Sequence, residues 1–273
     1  MGACELGCDG RWVYEFCDGG EPVKTMRRMG LMGLMVLMVM GAGVCSARDF
    51  VWMGQAQVEP GESVVMDGLV RWWKFDESSG SVSTDLVGGN TLTNSSVVIT
   101  NGQFGNALYF NGSATSVGNN INEINSTNLS ISVWVHVPTV ASSRWIVNQW
   151  VTTPAVRGVA FFVTSSSGGT WHWQVGSSSL NANFVAPSLT NQWVHWVLTA
   201  TKDTPSTLQI YTNSVLAKAV TNYTRSDSDG SDILEIGGAN EGGVNRLIGS
   251  IDNLRVYNRI LTTNEIQQLY LNP

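Results

Sequence analysis

Four tryptophans, Trp145, Trp150, Trp171 and Trp173, have the most to offer a ligand in this chain. Trp171 and Trp173 flank His172 and share one face of a strand, while Trp145 and Trp150 fall on a neighbouring strand and its loop. A flat array of rings stacks against the C–H faces of sugars and leaves the polar edges wet; the same array serves as a protein-binding hot spot. Each ring can instead turn inward as core. Asn148, Gln149 and Gln174 stand close by in sequence and could hydrogen-bond hydroxyl groups.

Other reactive groups are sparse. Cleavage of glycosidic bonds uses two carboxylates facing one cleft, and no Glu-x-Asp-x-Glu run or similar alternation exists here. Asp232 and Glu235 lie three apart in an expected strand, so they point to opposite faces. Neither Gly-x-Ser-x-Gly nor His-Glu-x-x-His occurs. The three histidines, His136, His172 and His195, sit in Trp-rich strands and read as core or half-core residues. Asp227-Ser-Asp-Gly-Ser-Asp232 has part of a calcium-loop pattern but lacks the closing Glu, and reads as a solvated turn. The chain is read as a non-enzyme.

The elements that position these residues are short strands. Apolar or alternating runs are separated by turn clusters such as Val87-Gly-Gly-Asn90 and Ser165-Ser-Ser-Gly-Gly169, a spacing that predicts a sandwich or jelly roll. Near the end, Ile251, Asn253, Arg255 and Tyr257 alternate with Asp252, Leu254, Val256 and Asn258, which predicts a strand with those two sets on opposite faces. Thr262 and Glu265 then form a capping box ahead of Ile266 and Leu269, predicting one short closing helix.

Four segments in order resemble the laminin-G-like (concanavalin A-like) family: Gly68-Leu-Val-Arg-Trp-Trp-Lys-Phe-Asp-Glu-Ser-Ser-Gly80, Gly105-Asn-Ala-Leu-Tyr-Phe-Asn-Gly112, the pair Leu129–Val135 and Gln192–Thr199, and Gly249–Tyr270. The resemblance covers residues 68–271. It implies an all-β, two-sheet antiparallel jelly-roll sandwich with one short C-terminal helix. Trp134, Trp193, Trp196 and Trp72 or Trp73 match the family's core positions. It also implies a structural Ca²⁺ held by Asp252, the Gly112 carbonyl and Asp76 or a carbonyl beside it, a mixture of oxygens that suits a hard cation. The ligand stays open, because the fold hosts lectin-like modules, adhesion modules and hydrolases.

The N-terminus reads differently. Met26 to Ala47 has a basic start, an apolar run and a small-residue end, the layout of a secretory signal peptide cleaved after Ala47. The run from Met29 to Val44 is broken by glycine and short of the roughly 20 residues a membrane-spanning helix needs. Residues 1–25 read as an extension upstream of a natural start at Met26, and 48–67 as a short leader. Cys4, Cys8, Cys17 and Cys45 all precede Ala47, so the exported chain is expected to fold without disulfides. From Arg48 onward, eleven Lys and Arg face sixteen Asp and Glu, a net charge of −5 with no basic patch for nucleic acid. These features predict a secreted module that binds carbohydrate and is stabilised by calcium. The alternative is an extracellular adhesion or structural module that binds protein or matrix; a hydrolase with an unrecognised site ranks below both.

Overall fold

The computed structural model describes residues 65–119, 128–150, 157–175, 181–202, 205–223, 233–238 and 245–273, and four two-residue strands nearer the N-terminus. The signal-like segment, Met26 to Ala47, and the Asp227–Asp232 turn lie outside the described residues. The chain divides into two units, Met1–Gln57 and Val58–Pro273. In the first, β1 (Glu5–Leu6) pairs with β2 (Trp12–Val13), and β3 (Cys17–Asp18) pairs with β4 (Glu21–Pro22).

The second unit is a sandwich of two antiparallel sheets, each of eight strands. Sheet I runs β6 (Val82–Ser83), β7 (Leu92–Ser95), β10 (Thr115–Gly118), β19 (Leu234–Ile236), β12 (Arg144–Trp150), β13 (Arg157–Thr164), β14 (Thr170–Val175) and β15 (Asn181–Val185). Sheet II runs β8 (Val98–Asn101), β9 (Asn106–Asn111), β20 (Ile248–Tyr257), β11 (Leu129–His136), β16 (Trp193–Ala200), β17 (Thr207–Thr212) and β18 (Val215–Thr221), with β5 (Leu69–Trp73) beside the second half of β20. The crossovers between sheets give the jelly-roll order that the strand spacing predicts.

Period-2 alternation turns one side of each strand into the core. In β11, Leu129, Ile131, Val133 and Val135 point inward, while Ser130, Ser132, Trp134 and His136 point out. In β14, Trp171, Trp173 and Val175 point inward. Trp171 stacks on Trp196 of β16 with centroids 4.2 Å apart and planes at 29°, and Phe161 of β13 joins them 5.3 Å from Trp196. Trp173 donates from Nε1 to the Thr199 carbonyl at 3.0 Å, so its polar atom is satisfied inside the core. Aromatic contacts of this kind join the two sheets across the sandwich.

A second apolar cluster lies on the outer side of sheet II. The closing helix α1 (Thr263–Leu271) lays Ile266 and Leu269 onto Val197, Tyr211 and Tyr257, with Val65, Leu69 and Leu261 completing the cluster. This cover explains why Ser130, Ser132 and Trp134 are buried although they face away from the core. The helix starts as the sequence predicts. Glu265 N donates to Thr262 Oγ1 at 3.3 Å, and Thr262 N donates to Glu265 Oε2 at 2.8 Å. Arg259 clamps the same carboxylate through Nη1 at 2.9 Å and Nη2 at 2.6 Å.

One strand departs from simple alternation. The register of β20 against β11 slips between Ser132 and Trp134, and Asn253 takes φ 54°, the left-handed conformation of a bulge. The extra residue puts Asp252 on the same outer side as Arg255 and Tyr257, while Ile251, Leu254 and Val256 line the core. Strict alternation had grouped Asp252 with Leu254 and Val256; the bulge corrects that grouping.

Two stability predictions follow from this packing. Trp171→Ala should cost about 3–5 kcal/mol, the usual range for deleting a large buried ring; a urea midpoint equal to that of the wild type would count against an interior Trp171. The hydrogen bond from Arg259 depresses the Glu265 carboxyl to about 2. Its contribution is therefore present above the unfolded carboxyl range near 4 and lost as pH falls towards 2. Glu265→Gln should lower stability by roughly 1–2 kcal/mol at neutral pH and make no difference near pH 2, as read by denaturant titration at both values.

Candidate functional site

The outer face of sheet I carries the residues best placed to meet a ligand. Facing residues on adjacent strands form rows that cross the sheet. One row runs Trp145, Phe162, His172 and Asn183 from β12 to β15. Trp145 and Phe162 have ring centroids 4.4 Å apart, and Phe162 and His172 lie parallel at 4.5 Å with planes 2° apart. All three rings are half-buried, and Asn183 is exposed. Thr164 Oγ1 contacts His172 Nε2 at 3.1 Å, and burial holds the His172 pKa below its usual value, so the ring is neutral at physiological pH.

A polar row runs beside it. Gln174, Ala160, Asn148 and Glu235 are successive cross-strand neighbours on β14, β13, β12 and β19. These positions face away from the core, yet Asn148 is 2% exposed and Gln174 and Glu235 are each 5%. Asn148 Oδ1 is buried with no hydrogen-bond partner, a state that an ordered buried water ordinarily resolves. Burial pushes the Glu235 carboxyl up, while Arg246 pulls it back. Ala160, between Gln174 and Asn148, is itself fully buried.

The predicted tryptophans divide. Trp145 lies on this face, and the Trp150 side chain is outside the described residues. Trp171 and Trp173 are 1% and 0% exposed and belong to the core, so neither can stack on a soluble ligand. The reason is parity: on β14 the residue between them, His172, takes the outer face. Asn148 and Gln174 do face outward, whereas Gln149 is fully buried opposite the core residue Val159. Phe162 and Glu235 were not among the predicted ligand contacts. The adjacent pair Phe161-Phe162 held the signal, because neighbouring residues of a strand cannot both point inward.

The residues expected to hold calcium also divide. Asp252 Oδ2 accepts from Phe104 N at 2.9 Å, and Asp76 Oδ1 accepts from Asn106 N at 2.9 Å. Both carboxylates therefore reach the turn between β8 and β9. Gly112 lies beyond the far end of β9, where its N–H bonds the Leu247 carbonyl at 2.8 Å. Six residues of strand separate it from Asn106, about 20 Å, so the carbonyls beside the two aspartates belong to the 102–106 turn rather than to Gly112. Two local features suit a hard cation. Asp252 Oδ1 is buried without a partner, and Asp76 repels the Asp252 charge. Among the described residues no group of three or more His, Cys, Asp or Glu gathers, so any ion here would take further ligands from carbonyls and water.

The sequence profile of the concanavalin A-like lectin/glucanase superfamily, laminin G type, matches residues 111–267, and the chain belongs to that superfamily. No curated protein matches it in sequence. Among solved structures it is similar to domain 4 of AbnA, a GH43 extracellular arabinanase from Geobacillus stearothermophilus solved with arabinotriose. That match has TM-score 0.59 and 19% identity over 74% of this chain and 98% of the other. Trypanosoma rangeli sialidase with the inhibitor DANA matches at TM-score 0.59 and 19% identity, over 77% of this chain but only 34% of the enzyme. The binding domain of Paraclostridial Mosquitocidal Protein 1 matches at TM-score 0.57 and 15% identity, over 74% of this chain and 52% of that one. At these identities the likeness is one of fold.

Burial pushes the Asp252 carboxyl up to about 7, against two backbone hydrogen bonds that lower it. With no cation bound, its contribution to stability is full below the unfolded value near 4 and lost as pH rises through about 7. Asp252→Asn should therefore melt several degrees above the wild type in chelator at pH 8 and together with it at pH 4. Equal melting at both pH values would remove this account of the carboxylate.

Proposed function

We propose that this is a secreted, non-catalytic carbohydrate-binding module stabilised by calcium. The observation that carries this reading is the outer face of sheet I. An aromatic row, Trp145, Phe162 and His172, runs beside a polar row in which Asn148 Oδ1 lacks a partner. Sugars present both an apolar C–H face and hydroxyl edges, and this pair of rows offers a complement to each. Arabinotriose bound to the AbnA domain supports a glycan as the ligand class for such a sandwich. An apolar row can also receive a protein, but the exposed Asn183 amide at the end of the row favours a hydroxyl-rich ligand. Among the described residues of this face Glu235 is the one carboxylate, and glycoside cleavage generally employs two; this supports binding without catalysis.

Calcium would be held by Asp252 and Asp76, with carbonyl oxygens of the 102–106 turn as further ligands. Its part is to fix that turn against the start of β9 and to neutralise two carboxylates that otherwise repel. The signal-like Met26 to Ala47 segment supports export.

Isothermal titration against soluble polysaccharides, arabinan included, tests the site. Trp145→Ala and Asn183→Ala should each weaken binding about tenfold, the equivalent of one stacking contact or one hydrogen bond, with the circular dichroism spectrum unchanged. Unaltered affinity in the double variant, or silence across the panel, would overturn the assignment. For the ion, a site of about 0.1 mM affinity in about 2 mM Ca²⁺ gains near 1.8 kcal/mol, or about 5 °C in melting temperature. That shift should disappear in Asp252→Asn.

A further inference from the structure

The outer side of sheet II, under α1, holds polar groups that neither proposed site uses. Arg255 is 1% exposed, yet its Nε and Nη2 have no hydrogen-bond partner. Its guanidinium lies over the Trp72 ring at 4.5 Å, a contact that engages the flat face and leaves the in-plane Nε and Nη2 protons unused. Tyr257, two residues along the same side of β20, is buried with its hydroxyl unpartnered. On β11, Ser132 is paired directly with Arg255, and Trp134, two residues on, has a buried indole N–H without an acceptor. His195 of β16 is paired with Trp134 and lies 2.8 Å from the Ser132 hydroxyl through Nε2. When Ser132 donates to Nε2, the neutral imidazole carries its proton on Nδ1, which also lacks a partner. Tyr270 of α1 stacks on Trp134 at 5.6 Å and closes this side over.

These groups share one chemical character. Arg255, Tyr257, Trp134 and His195 all present N–H or O–H donors, and one of them is a buried cation. The unpartnered acceptor on this side, Asp252 Oδ1, belongs to the residue paired with Trp134 on the edge of this group towards the 102–106 turn, and its carboxylate is near enough to interact with Arg255. Water fits a set of donors poorly, because each water brings two protons that need acceptors of their own. An anion accepts from every side and offsets the guanidinium charge, whose burial Asp252 compensates only in part. We propose that the space around Ser132, between Arg255, Tyr257, Trp134 and His195 and beneath α1, binds a small monovalent inorganic anion of the halide class. Burial leaves the Tyr257 hydroxyl protonated, with its pKa pushed up to about 12, and keeps His195 neutral, with its pKa down to about 3, in accord with the donor roles assigned.

Thermal unfolding of the full chain in potassium chloride and in potassium glutamate, at one ionic strength, tests the site. Chloride tenfold above its dissociation constant should raise the midpoint by about 3 °C, along a curve that saturates. The dependence should be abolished in Arg255→Met and weakened in Tyr257→Phe. Equal midpoints in the two salts would overturn the site. So would a chloride effect that rises without saturation and persists in both variants, since that is a general salt effect. Should Arg255→Met fail to fold, bromide-soaked crystals of the wild type decide the matter. An anomalous peak beside the Arg255 guanidinium is the expected result, and ordered water there without anomalous signal would refute the proposal.

Discussion

Strand β20 changes its neighbour partway along, and both proposed ion sites depend on how it does so. Its first half pairs with β9 through Ile248–Ile251 and its second half with β5 through Leu254–Tyr257, while β11 flanks the other side. Asp252 and Asn253 stand at the change. A strand passing from one partner to another cannot keep perfect register with the third, and the left-handed turn at Asn253 absorbs the mismatch. Trp72 Nε1 holds that bulge by donating to Asn253 Oδ1 at 2.7 Å. The same bulge sends Asp252 outward to the 102–106 turn and aligns Arg255 and Tyr257 beneath α1.

The two outer faces of the sandwich are thereby given different fates. The middle of sheet II is covered by α1, so side chains there that would otherwise be wet become an inner polar layer. There the low dielectric raises the cost of every missing hydrogen bond. Sheet I keeps an outer face with half-buried rings beside deeply shielded amides. The loops and edges remain available for smaller tasks such as an ion.

Arg259 joins several parts of the closure. It reaches Asp67 through Nε at 2.9 Å and Glu265 through both Nη atoms, while its own carbonyl accepts from Ser130 Oγ at 2.8 Å. One residue thus ties the start of the domain, the central strand β11 and the first turn of α1. The geometry is bidentate at Glu265, which makes it stronger than an ordinary exposed ion pair.

Much of the architecture was legible from local pattern. Alternation in Leu129–Val135, the Thr262 and Glu265 capping box, and the order of the four family-like segments determined the sandwich and its closing helix. These are short-range signals, set by side-chain parity and by hydrogen bonds within a turn. The candidate site was legible only in part. Trp171 and Trp173 were read as sharing a face, which is true, but the face is the core; parity groups residues without saying which group points inward. Trp145, Asn148 and Gln174 do lie on the outer face of sheet I, and Glu235 joins them there because β12 and β19 become neighbours only when the sheet assembles. Gly112 and the Asp252 grouping failed for a related reason: a bulge, and the turn that faces it, are fixed by strands meeting across more than a hundred residues. Sequence by itself determined the elements and the chemistry each can offer. Tertiary structure decided which face was buried and which distant groups met, since burial and long-range pairing belong to the assembled sheets rather than to any one strand.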